Sequence, residues 1–173
     1  MILTILREAG AHALHSWIEN VYQMDSQKVR IVELLALKSP KPLRGVCDIL
    51  QAGFRLSDFT FAAETEGEWA LAEGAGIEYC VSRPFHPIAW EASEARPGAD
   101  CNVCVALLVE GEDAPGVEGE TVLKELAPRV AQRLADALAE PVIHHLTWRP
   151  DRPMVLHERV FAPASRPLGQ IAP

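Results

Sequence analysis

The chain predicts an α+β fold, with a mixed or antiparallel sheet covered by two helices in a split βαβ-like arrangement. An N-terminal amphipathic helix precedes this core and an extended C-terminal arm follows it. Two observations carry the expectation. The apolar run Asn102–Val109 passes through an acidic, Gly-rich loop into a long amphipathic segment, and an alternating run, Val142–Trp148, follows Pro141. That order is strand, helix, strand. Glu68–Ala72 and Ile77–Arg83 flank Glu73-Gly74-Ala75-Gly76 and read as a hairpin, because glycine supplies the backbone angles a tight reversal needs.

Each element has its own warrant. Met1–Tyr22 reads as a helix with Ile2, Ile5, Leu6, Ala9, Ala13, Trp17 and Val21 on one broad face. Val29–Leu37 suits strand or helix; its short length and the stop Ser39-Pro40-Lys41-Pro42 favour a strand. Pro42–Gln51 reads as a helix with the stripe Leu43, Val46, Cys47, Leu50, Ser39 as its cap and Gly53 at its end. Leu56–Phe61 reads as a short strand with Phe59 and Phe61 on one face.

In Asn102–Val109 both alternating sets are apolar, which places this strand inside the sheet with cover on both sides. Glu110–Glu120 cannot bury its charges and is expected as an exposed loop. Leu123, Leu126, Ala127, Val130, Leu134 and Leu138 form the stripe of the second core helix. Pro128 falls within it. The stripe keeps its phase through the proline, so a kinked, continuous helix is preferred over one that starts near Ala127. Met154–Phe161 is a candidate edge strand. The chain divides as one domain over 1–173: helix 1–22, core 28–148, and a Pro/Arg-rich arm 149–173.

Composition narrows the function classes. At 173 residues, with 49% hydrophobic and 23% charged residues, the chain is large enough for a real core. A net charge of −8 opposes nucleic-acid backbones and anionic membranes, and the 16 Lys and Arg form no basic patch. No apolar run approaches the ~20 residues of a membrane span, and a secretory signal is not expected. Four cysteines among apolar neighbours point to buried thiols in a reducing cytoplasm.

The candidate chemistry is thin. Cys101 and Cys104 have the spacing of a redox or zinc pair, but residues three apart on a strand diverge; only a turn at Cys101 would bring them together. Glu8, His12, His15 and Glu19 recur at helical spacing and could place two ligands on one ion, with a second copy supplying the rest. A solvated helix face is the simpler reading. His144 and His145, adjacent on a strand, do not chelate; one core histidine and one surface histidine are expected. Cys80 with His86 has no nucleophile elbow around it.

Arg83, His86 and Trp90 form the preferred binding surface, with Trp148 and Arg149 as neighbours. No catalytic residue, metal or cofactor is expected. The resulting expectation is a cytoplasmic, non-catalytic protein-binding or assembly module, homo-oligomeric or bound to another protein. The alternative is a small-molecule-binding or enzymatic domain with a pocket near Arg83–Trp90.

Overall fold

A computed structural model describes residues 29–64, 67–83, 100–111, 117–148 and 155–164. The helix expected over 1–22, with Glu8, His12, His15 and Glu19, lies outside the described residues. So does most of the Arg83–Trp90 segment, and most of the C-terminal arm.

Seven strands form one antiparallel sheet covered by two helices. The chain order is β1 (Val29–Leu37), α1 (Leu43–Gly53), β2 (Thr60–Glu64), β3 (Gly67–Gly74), β4 (Ile77–Arg83), β5 (Val103–Gly111), α2 (Val117–Leu138), β6 (Val142–Trp148) and β7 (Val155–Phe161). Across the sheet the strands run β2-β3-β4-β5-β1-β6-β7. β5 and β6, joined through α2, do not pair with each other. β1 lies between them and is antiparallel to both.

β5 stands at the centre, and its two apolar faces explain why. Val103, Val105 and Leu107 join one buried cluster with the stripes of α1 and α2. Cys104, Ala106 and Leu108 join a second cluster with Val32, Leu34, Ala36, Trp69 and Cys80 on the opposite face. Every member of the expected stripe of each helix is buried. α2 runs without a break through Pro128 and does not start beside it.

Several boundaries and caps differ from expectation. Ser39 does not cap α1, whose N-cap is Pro42 without a side-chain hydrogen bond. Its backbone N–H instead donates to Asn102 Oδ1 at 2.8 Å, and Asn102 Nδ2 donates back to the Ser39 carbonyl at 3.0 Å. This exchange ties the end of β1 to the entry of β5. β2 starts at Thr60, later than Leu56. The acidic loop is shorter than expected, because its ends are absorbed into β5 and α2; Glu120 there pairs with Lys124 at 2.7 Å.

The β3–β4 hairpin turns on Ala75 (φ 53°) and Gly76 (φ 76°). Both central residues are left-handed, the geometry that matches strand twist in a two-residue loop. Gly74 serves a different need. A Cβ there would stand 2.6 Å from the Arg55 carbonyl oxygen. The sheet also takes in residues 155–161 of the segment assigned to the arm, where β7 pairs with β6 as its edge strand.

Candidate functional site: a buried carboxylate between two histidines

Among the described residues, the chemically distinctive group lies on β1, β6 and β7. It consists of Glu33, His144, Thr147 and His157. Glu33 interrupts the β1 stripe Ile31, Leu35, Leu37, whose members pack beneath the helices. Strand alternation therefore puts its carboxylate on the helix-covered face, where it is 1% exposed.

A bulge delivers its partners. Glu33 pairs with Thr147 and Leu34 with Leu146, but Leu35 pairs with His144. His145 is the extra residue. It resets the alternation, so His144 and Thr147, three apart, reach the same side of the sheet. The β6–β7 ladder shifts at the same place, between His144↔Arg159 and Leu146↔Leu156, and His157 falls within the shift.

The distances are short. Glu33 Oε2 lies 2.6 Å from His144 Nε2 and 2.6 Å from Thr147 Oγ1, and Thr147 Oγ1 lies 2.7 Å from His157 Nε2. An ionised carboxylate only accepts, and a hydroxyl has one hydrogen. So Thr147 donates to Glu33 and accepts from His157 Nε2–H, while His144 Nε2–H donates to Glu33. The two imidazoles stack, with centroids 4.2 Å apart. Burial pushes the pKa of His157 down, the neighbouring His144 pushes the same way, and Glu33 opposes both. Glu33 Oε1 is buried with no hydrogen-bond partner among the described residues. One ligand atom from each of Glu33, His144 and His157 lies within 4.8 Å of the others.

The histidine pair departs from expectation. His145 is 3% exposed and His144 8%, so neither is a surface residue. The rings of both residues are buried although they are neighbours on one strand. The signal that could have found the site was Glu33 itself. A carboxylate in an otherwise apolar strand stripe must be neutralised, and the histidines of β6 and β7 were the candidates.

Of the expected binding residues, Arg83 and Trp148 are described. Arg83 ends β4 and donates to the Lys41 carbonyl at 2.9 Å. Trp148 ends β6 opposite Val32. The register puts Ser82 in the row of Cys104, Ala36 and Ile143, so Arg83 and Trp148 are about five residues apart along the strands, roughly 17 Å. Two strands also lie between them. His86, Trp90 and Arg149 lie outside the described residues.

The cysteines correct one premise. Cys101 precedes β5 and packs against the same apolar cluster as Cys104, so the pair does not diverge across the sheet. Both thiols are free, as are Cys47 and Cys80. Burial pushes the Cys47 thiol up to about 12 and raises Cys80, Cys101 and Cys104 as well. High pKa values keep thiols protonated and poorly nucleophilic.

No helix among the described residues is long and apolar enough to cross a membrane. No protein-family model matches the chain, and neither curated proteins nor solved structures give a significant match.

Proposed function

We propose that this domain is a non-catalytic assembly module that pairs with a second copy of itself through β7. The supporting observation is the make-up of that edge. Val155 and Val160 are 51% and 55% exposed, two of the three exposed large hydrophobics among the described residues. Edge strands are usually blunted by charged side chains, bulges, Pro or short length. β7 carries Glu158, Arg159 and a register shift against β6, but it has seven residues and no Pro, whereas the opposite edge, β2, has five.

The split βαβ description of β5–α2–β6, with β1 inserted, belongs to this reading and carries no activity with it. Cytoplasmic residence belongs to it too, supported by the four free thiols. Light scattering after size exclusion tests the assembly. The expected result is a dimer at micromolar concentration that Val160→Lys converts to monomer. A wild-type monomer throughout that range overturns the reading.

One observation favours the alternative, a small-molecule site. A groove of about 260 Å³ runs between Phe54, Leu56, Ile77, Tyr79 and Leu126, with Arg55 and Arg129 in its lining. An apolar floor beside two guanidinium groups suits an apolar anion. It lies beside the β3–β4 turn, and Arg83 is not among its lining residues. Anilinonaphthalene sulfonate, an apolar anion, is expected to bind the native dimer or monomer there and to lose affinity on Arg129→Glu. Equal binding by both proteins removes this alternative.

A further inference from the structure

We propose that Glu33, His144 and His157 form a binding site for one divalent transition-metal ion of zinc-like chemistry. This goes beyond the assembly reading and does not depend on it.

The donor set decides the class of ion. Two imidazoles and one carboxylate suit zinc, cobalt or nickel, whereas calcium and magnesium prefer sites built wholly of oxygen. The three ligand atoms come from three adjacent strands and lie within 4.8 Å of one another. With bonds of ~2.05 Å at the tetrahedral angle, two ligand atoms on zinc lie about 3.3 Å apart. The Glu33–His144 contact of 2.6 Å must therefore open by less than an ångström (roughly 0.7 Å), and any wider separation, none beyond 4.8 Å, must close. His157 stands on the edge strand, where such movement is least resisted.

Two further observations point to a ligand. Glu33 Oε1 is buried with no partner among the described residues, although a buried carboxylate oxygen normally accepts a hydrogen bond. An ion held by both carboxylate oxygens gives it one. His157 is only half-buried, so the site has a side open to solvent, for entry and for a water as fourth ligand. The ion takes the place of the Nε2 hydrogens, which move to Nδ1 or to solvent. Thr147 keeps its bond to Oε2 and so orients the carboxylate, the usual task of a residue behind a metal ligand.

Titration of the metal-free full-length chain with Co²⁺, followed by visible absorption, tests the proposal, with Zn²⁺ competed against a chromophoric chelator. One ion per chain is expected, with the intense d–d bands of a four- or five-coordinate site. His157→Ala, which changes an edge position and whose fold is checked by circular dichroism, should weaken uptake at least tenfold. His157→Cys should restore it and add a thiolate-to-cobalt band. The paired substitution His12→Ala with His15→Ala should leave uptake unchanged. No stoichiometric uptake overturns the site. So does uptake that His157→Ala leaves intact, or that is lost with His12 and His15.

Discussion

His144 and Thr147, three positions apart on β6, both donate to the same oxygen of Glu33, each at 2.6 Å. A regular strand would send them to opposite faces. The single extra residue, His145, makes the arrangement possible. It also makes a carboxylate tolerable in a core otherwise built of apolar side chains, because the charge is met by two donors at once.

That coupling has a measurable signature. Glu33→Leu leaves His144 and Thr147 without their acceptor and should cost about 3–5 kcal/mol in urea denaturation, the usual penalty for breaking a buried pair. Glu33→Leu combined with His144→Leu should recover most of that loss, because an apolar pair suits the surrounding core. If the double substitution costs as much as the two single ones added together, the two groups are not coupled.

The thiols predict both a reactivity pattern and an alkaline limit. In the folded chain at pH 8, iodoacetamide should modify half-buried Cys101 first and reach Cys47, Cys80 and Cys104 only after denaturation. An unfolded thiol ionises near 9.0, whereas burial holds Cys47 up to about 12. The folded pKa is raised, so the stabilisation is complete below pH 9.0 and declines as pH rises toward about 12. A flat stability profile across that window would contradict the burial.

Backbone angles give a third test. Ala75 and Ala139 hold φ values of 53° and 56°, in the left-handed region that L residues enter at a cost. Ala139→Gly, just past the end of α2, and Ala75→Gly should each raise stability by about 1 kcal/mol. Gly74→Ala should lower it by roughly 1–3 kcal/mol, since its Cβ would overlap the Arg55 carbonyl. Thermal unfolding of the three variants checks both signs.

Asp136 ties α2 to the residues after β7. Its Oδ1 accepts from the Ala164 N–H at 2.7 Å and from Gln132 Nε2 at 2.9 Å, and Gln132 also donates to the Ala162 carbonyl. The Ala164 bond, then the Gln132 bond, holds the carboxyl below its usual 3.8. A lowered folded pKa means the tie is complete above pH 3.8 and lost as pH falls through the lowered value. Hydrogen exchange at Ala164, corrected for the intrinsic rate, should quicken on Asp136→Ala at neutral pH. An unchanged rate would mean that other contacts hold the segment.

Among the described residues, the sequence by itself determined the core strands and helices to within a few positions, and which faces of β5 and of the two helices are buried. In β5 the two apolar sets went to two clusters, and the Leu123–Leu138 stripe went beneath the sheet. Period two and period 3.6 leave a mark in the order of residues whatever they pack against. Only the tertiary structure decided the meaning of Glu33, His144 and His157. Their meeting depends on β1 being inserted between β5 and β6, and on a one-residue bulge at His145. Both are matters of register between distant segments, and neither leaves a periodic trace within any one of them.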